Sequence, residues 1–241
     1  MDRLRRLGRH VQILRPVVGE ASGGGGLAAA VSLRSGLKMP LFGLGVFQMS
    51  KPFDGRDDEA GECTAACNAA LDLGYQLIDT AQGYNNEEEV GAALKGRPRD
   101  SVFVVTKLTG ANHGAARTIP SLRESLERLD LDYVDCFLVH NPKGGLLVET
   151  WQEMLKAKAL GLALSVGVSN FGVEQLQGLS EAGLELPEVN QIELHCWLQQ
   201  PQLVDYCVRN GIALMGYRPT ANGFRFGMQQ QSDSGNTHPS K

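Results

Sequence analysis

VFVVTK, residues 102–107, decides the fold of this chain. Val102–Val105 is a short, fully apolar run, rich in β-branched side chains and far too short to span a membrane. Such a run suits a strand covered on both faces. It ends on a cation, Lys107. Outward from it the pattern repeats, with strands expected at Gln76–Asp79 and Phe42–Val46 on one side. On the other side lie Val134–His140, Ser165–Val168, Val189–Glu193 and Ala213–Tyr217.

Helical periods fill the gaps. Asp58–Leu73 places Ala66, Ala69, Ala70 and Leu73 on one stripe, and Ile119, Leu122, Leu126 and Leu129 recur at spacings of three and four. Asn86 precedes EEEVGAAL as an N-cap candidate with acids in the first turn. Pro201 opens another helix, where its missing N–H costs nothing. Strand and helix in alternation mean βαβ units and a parallel sheet. A doubly wound sheet would bring a glycine-rich phosphate turn after its first strand. Gly43-Leu44-Gly45 lacks the third glycine and starts no helix. The α/β class expected is therefore the (β/α)8 barrel.

The 241 residues suffice for one sizeable core, and 42% are hydrophobic. A net charge of −4 argues against general nucleic-acid binding, which needs a basic surface. The odd count of five cysteines, Cys63, Cys67, Cys136, Cys196 and Cys207, reads as reduced, mostly buried thiols rather than a disulfide framework. Cys63 and Cys67 share a helix face, but no further ligands accompany them, so no metal site is expected. The expectation is a soluble, cytoplasmic monomer with no nucleic-acid or membrane partner.

Residues 1–36 differ in composition from the rest, and residues 1–30 among them are set apart as an extension. They are rich in arginine, poor in acids and end in a Ser22–Gly26 linker run. They are expected to be a disordered extension, although an Arg-rich start also has the character of a mitochondrial transit peptide. The domain is expected to cover residues 31–221, followed by a disordered tail at 222–241.

Asp79, Tyr84, Lys107 and His140 are expected at the ends of three successive strands. Strand C-termini on one face of a barrel are where its chemistry is done. A phenol can give a proton to a carbonyl oxygen, and a nearby ammonium is expected to lower its pKa toward working pH. Asp79 would hold Lys107, and His140 would orient the same oxygen. Each residue has a bland reading too: Asp79–Lys107 as a buried ion pair, His140 as a core histidine. A Schiff-base role for Lys107 is disfavoured, because a carboxylate beside it raises the lysine pKa.

These segments resemble the aldo-keto reductase family. The likeness runs from about Val31 to Tyr217 through GYQLIDTAQGYNNEEEVG, VFVVTKL, DYVDCFLVHNP, SVGVSNF, PEVNQIELH and LQQPQLVDYC. The resemblance implies reduction of aldehydes or ketones with NADPH, on a small-molecule carbonyl substrate. It makes Tyr84 the acid, Lys107 and Asp79 its tuning pair and His140 the orienting residue. It also implies that Ser169, Asn170 and Gln191 bond the nicotinamide carboxamide and that Tyr217 stacks on the ring. The short connection from His140 to Trp151 suits a small or open substrate pocket.

The likeness fades at Tyr217-Arg218-Pro219-Thr220, where Arg218 stands for the family's usual serine. No eighth strand and no basic 2′-phosphate motif are recognised after it. The expectation is an incomplete barrel, the sequence of a truncated isoform, with first and seventh strands left as open edges. On that reading NADPH binds weakly. A catalytically impaired chain, acting if at all as an interaction protein, is the alternative to a working reductase.

Overall fold

The seven apolar runs are strands, and their buried faces explain their composition. The structure is a computed structural model describing residues 11–15, 27, 29–49 and 61–221. The first strands are β1 (Val11–Arg15), β2 (Ala30–Ser32), β3 (Lys38–Pro40) and β4 (Phe42–Gly45). Then come α1 (Glu62–Asp72), β5 (Leu77–Asp79), α2 (Glu87–Leu94), β6 (Phe103–Leu108), α3 (Thr118–Leu129) and β7 (Val134–Val139). The chain continues through α4 (Leu147–Ala159), β8 (Ala163–Ser169), α5 (Val173–Glu181), β9 (Val189–Glu193), α6 (Pro201–Arg209) and β10 (Ala213–Tyr217). Strands β4 to β10 pair in parallel, each with the next in sequence, and one helix joins each consecutive pair. This is seven-eighths of a (β/α)8 barrel. No eighth parallel strand occurs among the described residues.

The eighth place is filled from the other end of the chain. Strand β1 lies between β10 and β4 and runs antiparallel to both, pairing Ile13 with Gly216 and with Phe42. Two expectations change here. The first and seventh parallel strands are not open edges, and five residues inside the segment 1–30 form a strand. The physical reason is the ladder itself. β4 and β10 each present a row of backbone donors and acceptors, and one extended five-residue segment pairs with both rows at once. The rest of that extension, apart from Leu27, Ala29 and Ala30, lies outside the described residues, as does the tail 222–241.

All residues of β5, β6 and β7 are buried, which accounts for their unbroken apolar runs. Between strands and helices sits one apolar layer, with Leu122, Leu129, Trp151, Met154 and Leu176 against Ile78, Val104, Phe137 and Val166. A second fills the barrel axis, where Val31, Leu33 and Met39 of the β2–β3 hairpin meet Leu77, Phe103, Val105, Leu138, Val189 and Met215. Leu77, Phe103 and Val189 each open their strands, so the hairpin plugs the N-terminal end of the barrel. The helix at 58–73 is observed as Glu62–Asp72, its expected first residues lying outside the described set.

A buried carboxylate latches that plug. Glu188, 1% exposed, accepts from Ser35 N at 3.0 Å and Ser35 Oγ at 2.5 Å, and pairs with Lys158 Nζ at 2.7 Å. Hydrogen bonds to charged groups contribute about 1.5–3 kcal/mol each, and orphaned donors add to the loss. Glu188→Ala is expected to lower the unfolding free energy by about 2–3 kcal/mol in urea titration; a change under about 0.5 kcal/mol would show that the latch contributes nothing.

The described cysteines are all free; Cys63, Cys67, Cys136 and Cys207 are buried and Cys196 is exposed. No metal-holding cluster and no helix long and apolar enough to cross a membrane occur among the described residues.

Candidate active site

Strand β5 delivers Asp79 to the C-terminal end of the barrel. The chain then leaves the strand and makes a 3-10 turn, Gln82–Tyr84, closed by Asn85 at φ 55°. Asparagine tolerates this left-handed conformation better than most residues. Tyr84 is therefore on a turn beyond the strand rather than at its end. Asn86 begins α2 without capping it. Its Oδ1 accepts from Thr80 Oγ1 at 2.6 Å and its Nδ2 donates to Val46 O at 2.8 Å. Tertiary partners have claimed the side chain that sequence reasoning gave to the cap. Glu87, Glu88 and Glu89 in the first turn still favour the helix dipole.

Lys107 points inward from β6 and is fully buried. Its Nζ donates to Asp79 Oδ2 at 2.8 Å, to Thr80 O at 2.8 Å and to Tyr84 Oη at 3.2 Å. An ammonium has three protons, so every one is used. Asp79 Oδ1 accepts from Gln191 Nε2 at 3.2 Å. Burial pulls the Lys107 ammonium down, but the Asp79 carboxylate and the Tyr84 oxygen outweigh it and the net direction is up. A lysine held charged in this way is a poor Schiff-base nucleophile.

Tyr84 corrects an expectation. Lys107 does pull the phenol down, but burial is the larger effect and the net direction is up, above the ordinary value of 10.0. The group is kept as a neutral phenol, an acid that holds its proton until something accepts it. Its ring lies between Phe47, with centroids 5.0 Å apart, and His140, met edge-on at 5.5 Å. His140 follows β7, and its backbone N–H donates to Leu108 O at 3.1 Å. Burial, then the Lys107 charge, pull its imidazole down to about 3, so it is neutral near pH 7.

The second group surrounds the first. Ser169 ends β8, Asn170 follows at φ 61°, Gln191 lies in β9 and Tyr217 ends β10. Asn170 Nδ2 donates to His140 O and to Ser169 Oγ, both at 3.0 Å, and Asn170 Oδ1 accepts from Tyr217 Oη at 2.8 Å. Every residue singled out from the sequence is thus linked to another at this end of the barrel. The amides of Asn170 and Gln191 and the Ser169 hydroxyl supply both donors and acceptors. A primary carboxamide needs that combination, and the half-exposed Tyr217 ring offers an apolar face beside it. The residues fit a nicotinamide.

Phe47, Thr80 and Gln82 were not singled out from the sequence. Phe47 had a signal in its place just after the first parallel strand. Thr80 contributes through its backbone carbonyl, which no residue type announces. A cavity of about 290 Å³ lies elsewhere, lined by Arg97, Arg99, Asp130, Asp132 and Tyr133 near the starts of β6 and β7. Arg99 there is already committed to Asp135, Val102 O and Tyr133 O, so the cavity is a gap in structural packing rather than a convergence of reactive groups.

Comparison with known proteins agrees with this geometry. The model of the Aldo/keto reductase family matches residues 43–241, from within β4 onward and past Tyr217, where the sequence alone places the end of the likeness. An aldo-keto reductase of Mycobacterium sp. (strain MCS) is 40% identical over 209 residues, which are 85% of this chain and 69% of the relative. The glyoxal reductase of Bacillus subtilis (strain 168) is 38% identical over 199 residues, 82% of this chain and 69% of that protein. The crystal structure of a Bombyx mori aldo-keto reductase in complex with NADP superposes with a TM-score of 0.73 at 36% identity, covering 80% of this chain and 67% of that one. With the barrel order, the strand-end cluster and a match over most of its length in accord, this chain belongs to the aldo/keto reductase family.

Proposed function

We propose that the chain reduces small aldehydes and ketones to alcohols, with NADPH as reductant and Tyr84 as proton donor. The observation that carries this reading is the buried Lys107, bonded at once to Asp79 and to the Tyr84 hydroxyl. A reduced nicotinamide, when bound, supplies the hydride that the carbonyl carbon accepts. Ser169, Asn170 and Gln191 would hold its carboxamide and Tyr217 its ring face. The proton comes from this chain: Tyr84 Oη–H donates to the carbonyl oxygen, leaving a phenolate. Lys107 steadies that phenolate from 3.2 Å, and Asp79 keeps Lys107 charged and in place. A neutral His140 donates a ring N–H to the same oxygen and sets its direction, without competing as an acid. The phenolate then regains its proton from solvent. The named relatives support the substrate class and the reductant: one is called a glyoxal reductase and another is bound to NADP.

The test is oxidation of NADPH by the purified chain in the presence of glyoxal or another short aldehyde, followed against pH. Because the His140 pKa lies near 3, no limb is expected near the ordinary histidine value of about 6.5. The acid form of Tyr84 is the active one, so activity falls only as pH rises through a phenol pKa above 10.0. Absence of aldehyde-dependent oxidation would reject the reading, and a limb near pH 6.5 would reject the neutral role of His140.

A further inference from the structure

The turn that carries Tyr84 is closed by two backbone bonds of its own, Tyr84 N–H to Ala81 O at 3.0 Å and Asn85 N–H to Gln82 O at 3.5 Å, which shape the turn without attaching it to the barrel. Gly83 has open space around the position of a Cβ, Asn85 is exposed, and no residue of Gln82–Tyr84 is fully buried. Tyr84 itself reaches inward to Lys107 and sideways to two aromatic rings. Something must fix the backbone beneath it. On one flank Asn86 does so, through Thr80 and Val46 O.

The other flank is held by one side chain. Gln82 Nε2 donates to Ser121 O and to Ser125 Oγ, both at 3.1 Å. Gln82 Oε1 accepts from Thr109 N at 3.0 Å and from Asn112 Nδ2 at 3.1 Å. A primary amide has two N–H donors and two acceptor lone pairs, and all four are filled. These bonds tie the turn to the loop after β6 and to α3. Thr109 lies two residues beyond Lys107 on the same backbone. Gln82 therefore spans, on the outer side, the same two segments that Tyr84 Oη and Lys107 Nζ bridge on the inner side.

We propose that Gln82 is a positioning residue: its amide fixes the Gln82–Tyr84 turn against the end of β6 and so sets the phenol of Tyr84 at hydrogen-bonding distance from Lys107. The proposal rests on Tyr84 being the proton donor. A solvated surface glutamine makes few lasting protein bonds, whereas this one bonds to a backbone carbonyl, a backbone N–H, a hydroxyl and an amide from two stretches of sequence. Shortening it to alanine frees the turn on that flank and lets the ring move outward. Misplacement of a reacting group by about 1 Å costs on the order of a hundredfold in rate.

The experiment compares wild type, Gln82→Ala and Gln82→Glu in two measurements. The carboxylate of the glutamate variant keeps the acceptor for Thr109 N but loses both donors. In the first, NADPH-dependent reduction of a short aldehyde is followed. Expected is a fall in kcat of about ten- to a hundredfold for alanine, a smaller fall for glutamate, and KM for the aldehyde within about threefold. The second uses the cofactor-free protein with ring-¹³C tyrosine, the Tyr84 resonance being assigned by its loss in Tyr84→Phe. In wild type the phenol titrates above its ordinary value; in Gln82→Ala the midpoint moves down toward about 10, as the ring exchanges its buried surroundings for water. A Tyr84 titration unchanged from wild type, or an unchanged kcat per folded molecule, overturns the proposal and leaves Gln82 a brace for the loop alone. Failure of the underlying reading looks different. Tyr84→Phe would then turn over like wild type, while the titration would still report whether Gln82 sets the ring.

Discussion

Tyr84→Phe is expected to lower kcat by about 10²–10⁴-fold with little change in the thermal midpoint. The substitution removes one oxygen. The ring keeps its place between Phe47 and His140, at 5.0 and 5.5 Å. Lys107 keeps Asp79 and Thr80 O as acceptors and loses only the longest of its three bonds. The loss to folding is therefore that of a single hydrogen bond, about 1 kcal/mol. The loss to catalysis is much larger, because no other acid stands ready. His140 is neutral and Lys107 is held charged by the carboxylate it bonds. If Ser169, Asn170 and Gln191 hold the nicotinamide as proposed, its binding is expected to survive, since none of them bonds to the phenol. A variant that binds the nucleotide as wild type does yet turns over slowly would isolate proton donation. Turnover equal to wild type would remove Tyr84 from that role.

The parts of this molecule that sequence conveys are those governed by local period and burial. The run 102–107 could hardly be anything but an interior strand, and the observed Phe103–Leu108 differs by one residue at each end. Val189–Glu193 and Ala213–Tyr217 fall as expected from apolar content alone. Strand order followed from the alternation with helices, and with it the gathering of Asp79, Lys107 and His140 at one end. What was hidden depended on distant partners. Val11–Arg15 sits in an arginine- and glycine-rich segment whose composition masks five strand-forming residues. Its strand exists only because β4 and β10 leave two ladders to fill. Asn86 looked like a cap because its type and place suit one, but Thr80 and Val46 reach it first. The direction of the Tyr84 shift was missed for a related reason. A neighbouring charge can be read from adjacent strand ends, whereas the depth of burial that outweighs it emerges only from the packed barrel.

Lys107→Met is expected to cost the fold about 3–5 kcal/mol as well as activity, a large part of the roughly 5–15 kcal/mol that holds a domain together. Methionine matches the lysine in length and shape, so little of the loss is packing. The loss comes from Asp79, which is 2% exposed and would keep the Gln191 bond but lose its cation. Thr80 O loses a donor in the same step. The double variant Asp79→Leu/Lys107→Met separates the two meanings of a buried pair. Replacing both charges by apolar groups removes the stranded carboxylate, and such replacements elsewhere are neutral or stabilising. The double variant should therefore recover most of the lost stability while remaining inactive. Urea unfolding of the three proteins decides the matter. If the double variant is as unstable as Lys107→Met, the ion pair itself holds the barrel closed at this end. If it recovers, the pair adds little net stability, and its place in the centre of the barrel is explained by the geometry it imposes on Tyr84.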